Sequence, residues 1–204
     1  MTDATETSRR PGRRPGANET RGAILAAARD AFATHGYEKA TIRGIARKAG
    51  VDPALVHHFY GPKTEVFKAA VSDVLGPIAE TMAGADEDAD PSHTAERLAR
   101  VLVGLWEREP TKGALIGAVR AAVTSETAAG LVRGIVQEHT IAAVAAHTEQ
   151  PDAELRANLI GTTMLGIAVA RHVLEVEPIA SLDEDALTGV LAGTIGHYLS
   201  AELK

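Results

Sequence analysis

The chain has 204 residues, of which 45% are hydrophobic, so it is long enough to bury a core in one large domain or two small ones. It contains no cysteine, which excludes disulfides and cysteine-ligated metal sites and favours a reducing, cytoplasmic location. The polar first residues argue against a signal peptide. The longest weakly polar run, residues 159–170, is too short to span a bilayer, so we expect no membrane partner.

The net charge of −6 is unevenly distributed along the chain. Residues 1–75 contain 12 Lys and Arg against 8 Asp and Glu, whereas residues 76–204 contain 9 against 19. We call residues 1–75 the front and residues 76–204 the body. A basic front attached to an acidic body predicts that the front binds nucleic acid. We expect three segments, over residues 1–17, 18–75 and 76–204.

The first 17 residues are predicted to form a disordered basic arm. The sequence Arg-Arg-Pro-Gly stands at residues 9–12 and again at residues 13–16. Proline and glycine oppose a helix, and the four arginines repel one another. Two interpretations remain open. The arm is either a solvated tail, or a DNA contact in which Arg13 and Arg14 lie along phosphates or enter a minor groove.

Four helices are predicted next, over residues 18–35, 41–49, 53–60 and 63–75. Asn18, Thr41 and Asp52 are residue types that cap helix N-termini, and Gly36 is suited to end the first helix. Gly76-Pro77 is expected to kink or end the fourth helix.

Residues 41–61 have the spacing of a helix-turn-helix. Ile42, Ile45 and Ala49 form an apolar inner face, and Gly50 supplies the turn. The residues at the start of the second helix that are not needed for the inner face must point outwards. In helix-turn-helix proteins these positions enter a major groove, and here they are Asp52, Pro53, Ala54, His57 and His58. Leu55 is ambiguous, because it either packs at the edge or contacts a thymine methyl group.

Residues 18–68 resemble the DNA-binding domain of the TetR family of bacterial repressors. The matching stretches are Ala40–Val51 and Val56–Lys63, together with Phe32 and Gly36-Tyr37. The resemblance implies that Arg43 hydrogen-bonds to a base edge, that Thr41 contacts phosphate and that Lys63 binds the DNA backbone. His57 departs from the family's usual tyrosine, Pro53-Ala54 is a poor hydrogen-bonding start to a recognition helix, and Pro62 replaces a small polar residue.

Beyond an acidic loop at residues 83–91, the body is predicted to be wholly helical. Helices are expected over residues 92–109, 111–123, 126–148, 152–176 and 182–203, with no strand of useful length. The fold class is therefore all-α, with an N-terminal three-helix DNA-binding domain and a larger helical domain for ligand binding and dimerisation. The last two helices are rich in glycine and alanine, which fits either tight packing within one chain or a homodimer.

The resemblance favours the homodimer, which would read a palindromic operator in double-stranded DNA through two motifs. It also implies a pocket in the body for an unidentified small-molecule effector. The candidate lining residues, each of which has an ordinary core or surface role as its alternative, are Trp106, Arg120, His139, Met164 and His172.

The leading hypothesis is a repressor that a small molecule releases from its operator. A second is a helical small-molecule or protein-binding module that has lost DNA binding, and a third is a helical enzyme. The sequence lacks the zinc-protease, nucleophile-elbow and phosphate-loop motifs, so we expect no enzymatic activity, catalytic residue or cofactor. We expect no metal site, because adjacent histidines on a helix, such as His57 and His58, point about 100° apart.

Overall fold

The computed structural model describes residues 16–84 and 90–203. Arg13, Arg14 and the rest of the predicted arm before Gly16 lie outside the described residues, as do residues 85–89 of the predicted acidic loop. The described ranges contain helices and no strand, which confirms the all-α class. In those ranges no helix is long and apolar enough to cross a membrane.

The helices of the described ranges follow one another as the sequence predicts, with a π-helical turn at Gln137–Ile141 between α7 and α8. Their bounds are α1 Ala17–Lys39, α2 Ile42–Ala49, α3 Pro53–Tyr60, α4 Lys63–Ala83, α5 Pro91–Glu107, α6 Thr111–Thr124, α7 Glu126–Val136, α8 Ala142–Ala145, α9 Ala153–His172 and α10 Glu184–Ser200.

Two of the three predicted N-caps are confirmed. The Thr41 side chain accepts a hydrogen bond from the Gly44 N–H at 3.1 Å, and the Asp52 side chain accepts one from the Ala54 N–H at 2.7 Å. The prediction for Asn18 was wrong, because α1 begins one residue earlier. The carboxylate of Glu19 accepts a hydrogen bond from the Gly16 N–H at 3.0 Å. This bond satisfies one backbone N–H at the helix start, although the capping residue Gly16 has no side chain.

The glycines predicted to interrupt the front helices take left-handed backbone conformations. Gly36 has φ of 73° and ψ of 171°, a non-helical conformation that ends the first straight part of α1 near residue 35, as predicted, before a further turn runs to Lys39. Gly50 has φ of 69° and turns the chain between α2 and α3. Side-chain-bearing residues rarely adopt such angles, so glycine fixes both direction changes.

Helix α4 does not end at Gly76-Pro77, where the sequence predicts either a kink or an end. It runs through Pro77 to Ala83, and the predicted segment boundary at residue 75 lies inside it. The apolar face continues on both sides of the proline, with Val74, Leu75 and Ile78 all buried. Tertiary packing of that continuous face outweighs the local penalty of an exposed proline.

Three boundaries in the body differ from the sequence prediction. The helix expected over 126–148 is broken by the π turn and ends at Ala145. Helix α9 stops at His172 rather than 176, and Glu175 then has a left-handed φ of 52° that a helix cannot continue through. Helix α10 starts after Asp183, whose side chain accepts a bond from the Ala186 N–H at 2.8 Å.

An aromatic cluster holds the front together. The ring of Phe67 on α4 lies 5.0 Å from that of Phe32 and 5.1 Å from that of Tyr37, both on α1, in edge-to-face geometry. Aromatic pairs in this geometry contribute beyond their burial alone. The cluster fixes α4 against α1 and thereby supports the two short helices between them.

Front and body meet where α6 crosses α1. A Cβ placed on Gly117 would lie 2.6 Å from the Cα of Ala33, so only glycine allows this approach. Beside it, the hydroxyl of Ser125 donates to a carboxylate oxygen of Glu38 at 2.6 Å. The two regions are therefore joined by close backbone packing as well as by the shared helix α4.

Candidate nucleic-acid interface and effector cavity

The helix-turn-helix is held by the inner face that the sequence predicts. Ile45, Ala46 and Val56 are completely buried, while Ile42 and Ala49 are half-buried against the same core. Tyr60 closes the motif by donating its phenol hydrogen to the Arg21 carbonyl oxygen at 3.1 Å. Burial raises the pKa of Tyr60 and keeps this phenol a neutral donor.

The outward face of α3 is also where the sequence places it. Pro53 is half-buried, and the other predicted contact residues are exposed: Asp52, Ala54, Leu55, His57 and His58. Leu55 is 39% exposed, which is compatible with either packing at the edge or contact with DNA. The exposed surface at the start of α3 is therefore mostly apolar, and the imidazoles of His57 and His58 follow it one turn later along the helix.

The cations near this face differ in their availability. Lys48 forms an ion pair with Asp30, and Arg29 forms one with Asp73. Arg43 on α2 is exposed and has no hydrogen-bond or ion-pair partner among the described residues. Its guanidinium is thus free to make two parallel bonds to a guanine edge.

Thr41 and Lys63 lie at helix starts beside this face. The Thr41 oxygen accepts a bond from Gly44, and its own hydrogen is left to donate outwards. The Lys63 ammonium donates to the Glu38 carbonyl oxygen at 3.1 Å and lies 4.4 Å from the centre of the Tyr37 ring. These contacts anchor one side of the ammonium, and two of its three hydrogens remain for a phosphate.

A cavity of about 210 Å³ lies in the body between α4, α5, α6, α7, the π turn and α9. Two of the predicted ligand residues, Trp106 and Met164, line it, and both are buried. The α4 residues in its wall are Val71, Leu75 and Ile78. The helix that starts at Lys63 beside the candidate DNA face therefore also forms one wall of the cavity.

The remaining predicted ligand residues lie elsewhere. Arg120 is exposed and lines a second depression of about 330 Å³, which shares Trp106 with the first cavity. His139 lines neither of these two cavities. His172 also lines neither, and its Nε2 lies 3.1 Å from the Glu107 carboxylate, which accepts a bond of 2.7 Å from Arg171.

Two family models match this chain. The model described as "Bacterial regulatory proteins, tetR family" matches residues 24–70, and "Tetracyclin repressor-like, C-terminal domain" matches residues 93–199, more than half of the chain. The chain belongs to the TetR family. It is therefore a DNA-binding transcription regulator and not an enzyme, as the sequence predicts.

Individual relatives agree with this assignment. A crystal structure of a TetR-family regulator from Streptomyces coelicolor A3 is 31% identical, covering 93% of this chain and 99% of that one, with a TM-score of 0.59. A transcriptional regulator from Rhodococcus sp. Rha1 is 24% identical over 87% of this chain and 95% of that one, with a TM-score of 0.63, and shows the fold alone.

Two curated relatives match a shorter stretch. The HTH-type transcriptional regulator BetI of Rhizobium meliloti is 34% identical over 40% of each chain. The HTH-type transcriptional repressor AcnR of Corynebacterium efficiens is 37% identical over 29% of this chain and 31% of that one. The chain thus spans less than half the length of these two curated relatives.

Sequence reasoning missed the polar residues in the wall of this TetR-family protein's cavity, of which Thr140 is the buried one. Thr140 lies on the π turn, is only 8% exposed, and its hydroxyl has no hydrogen-bond partner among the described residues. A single hydroxyl between the apolar residues Val136, Ile141 and Val144 was the available signal. The sequence does not reveal that Thr140 borders a cavity, because the opposite walls come from distant helices.

Proposed function

We propose that this TetR-family regulator is a ligand-responsive repressor. It binds a palindromic operator as a homodimer and leaves the DNA when a small molecule occupies the cavity in the body. The observation that carries the proposal is the position of α4, which begins at Lys63 beside the candidate DNA face and lines the cavity with Val71, Leu75 and Ile78. Movement of one helix couples the two sites.

The exposed residues of α9 and α10 support a dimer. Leu155 and Leu165 on α9 are 53% and 40% exposed, and Val190 on α10 is 61% exposed. Among the described residues, a Cβ added at Gly189 or Gly193 would meet no atom within 4 Å beyond the adjoining backbone of α10 itself. Apolar side chains and open glycines on adjacent helices suit close packing against the same helices of a second copy.

Release by a ligand requires a difference in affinity between two states. The effector must bind the DNA-free conformation more tightly than the DNA-binding conformation. The ratio of these two affinities equals the factor by which the effector weakens operator binding. Two recognition helices read successive major grooves only at about one helical turn of separation. A shift of α4 in each protomer changes that separation.

DNA binding is tested by selecting genomic fragments with the purified full-length protein and measuring affinity by fluorescence anisotropy. We expect a palindromic site, tight binding that weakens steeply with salt, and a loss of about 10-fold to 100-fold in Arg43→Ala. Arg133→Ala is the matched control, because Arg133 is an exposed arginine on α7 in the body. Failure to select any site would favour the alternative of a binding module that has lost DNA recognition.

The dimer is tested by sedimentation of the double variant Leu155→Glu and Val190→Glu. Two buried charges at the interface should give monomers and abolish operator binding. Val123→Glu is the control, because Val123 is 82% exposed and belongs to α6 rather than to α9 or α10. A double variant that stays dimeric would rule out this interface.

A further inference from the structure

The walls of the 210 Å³ cavity are mainly hydrocarbon. None of its lining residues carries an ionisable side chain, and the polar ones are Thr140, Asn158 and Thr162. A charged ligand entering such a site loses its water without gaining a counter-charge. The lining therefore discriminates against a ligand that buries a carboxylate, phosphate or ammonium group among these residues.

The three polar residues differ in what they can offer a ligand. Asn158 and Thr162 are exposed at the α9 side of the cavity, and the Asn158 amide already donates to the Glu154 carbonyl oxygen at 2.9 Å. Thr140 is buried, and its hydroxyl has no partner among the described residues. Buried hydroxyls are nearly always hydrogen-bonded, so an unpaired one at a cavity wall requires an explanation.

The π turn explains why Thr140 has no internal partner. In an α-helix a threonine hydroxyl commonly bonds to the carbonyl oxygen one turn earlier, but over Gln137–Ile141 the helix widens and its register shifts. Short π segments of this kind occur often at functional sites. The Thr140 oxygen is covered in this structure, and threonine in a helix populates two χ1 rotamers. Rotation about χ1 exchanges the methyl group with the hydroxyl.

Resting on the proposed function, we infer that the effector is a small, uncharged, mainly apolar molecule with one hydrogen-bonding group, which the Thr140 hydroxyl recognises. Its size follows from the cavity. A cavity of about 150 Å³ holds a benzene molecule, so 210 Å³ holds one ring with a short substituent or an aliphatic chain of similar volume. An alcohol, ketone or phenol of that size has the required chemistry.

The test uses three probes of matched size: cyclohexanol, methylcyclohexane and cyclohexanecarboxylate. None of them absorbs where tryptophan is excited. Trp106 is the one tryptophan of the chain and lines both the cavity and the depression beside Arg120, so its fluorescence reports occupancy of either site, and sensitivity to the Thr140 variants assigns the signal to the cavity. We expect saturable changes with cyclohexanol and methylcyclohexane, and binding of the carboxylate at least about 100-fold weaker than that of the alcohol.

The variants isolate the hydroxyl. Thr140→Val keeps the side-chain shape and should weaken cyclohexanol binding about 10-fold while leaving methylcyclohexane binding unchanged. Thr140→Ser retains the hydroxyl and should stay within about 3-fold of the parent protein. Thr163→Val is the control, because Thr163 bonds to the Leu159 carbonyl oxygen and does not line the cavity. Circular dichroism confirms that each variant is folded.

Several results would overturn the inference. These are carboxylate binding as tight as that of the alcohol, an equal effect of Thr140→Val on alcohol and hydrocarbon, or no saturable Trp106 response to either neutral probe. Anisotropy of operator DNA in the same samples separates this inference from the proposed function. If the probes bind in the expected order but the operator stays bound, ligand-released repression fails and the assignment of ligand chemistry stands.

Discussion

The DNA-reading front and the body of this protein differ in how completely they are packed. In the front, three aromatic rings meet with centroids 5.0–6.0 Å apart, and side-chain caps start both helices of the helix-turn-helix. In the body, a cavity of about 210 Å³ borders a buried hydroxyl without a partner. Complementarity to DNA requires one fixed shape, whereas a response to a ligand requires space and unsatisfied groups.

The largest expected effect tests the packed front. Phe67→Ala removes the ring that touches both Phe32 and Tyr37, and Phe67 is only 1% exposed. We expect a loss of about 3–5 kcal/mol in the free energy of unfolding, measured with urea. Val123→Ala is the exposed control and should change it by less than about 0.5 kcal/mol. A loss below about 1.5 kcal/mol for Phe67→Ala would contradict tight packing of the front.

A matched pair of glycines tests the contact between the two regions. Gly117→Ala places a methyl group 2.6 Å from the Ala33 backbone and should destabilise the fold by roughly 1–3 kcal/mol. Gly130→Ala, on α7, meets no atom within 4 Å and should stabilise it by roughly 0.5–1 kcal/mol. Urea unfolding of both variants measures the sign of the change in the free energy of unfolding. Stabilisation by both substitutions would show that the close approach of α6 to α1 does not limit stability.

Prediction from sequence succeeded where the signal is local. The caps Thr41 and Asp52 and the turn at Gly50 depend on residues within three positions of one another, and all three are observed. It failed where distant packing decides. Helix α4 continues through Pro77 because its apolar face is buried, and Arg156 is 1% exposed because it donates to the carbonyl oxygen of Tyr198, 42 residues away.

The candidate ligand site shows the same division. Trp106 and Met164, predicted through the family resemblance, line the cavity, whereas His172 was expected there and instead contacts Glu107. Thr140 was missed, because neither the π turn nor the cavity is visible in a periodic pattern. A pocket is a property of several helices together, so a single chain pattern predicts its chemistry poorly.

The hydroxyl of Ser125 tests the link between body and front with a smaller effect. It donates to Glu38 at 2.6 Å and also accepts from the Ala128 N–H at 3.3 Å as the cap of α7. Ser125→Ala should cost about 1–2 kcal/mol in urea unfolding, and Ser125→Asp, which keeps the cap but repels Glu38, should recover less than half of it. Full recovery in Ser125→Asp would assign the whole effect to the cap.

The smallest effect separates two roles of Thr41 in the front. Thr41→Ala removes the acceptor for Gly44 and should cost about 1 kcal/mol of stability and weaken DNA binding. Thr41→Asp keeps the acceptor but places a negative charge where a phosphate is expected, so urea unfolding should match the parent protein while operator affinity falls further than in Thr41→Ala. Thr41→Ser should retain both properties. If Thr41→Asp binds the operator as tightly as the parent protein, Thr41 acts only as a cap, and the phosphate contact must come from Lys63 or another donor near the start of α4.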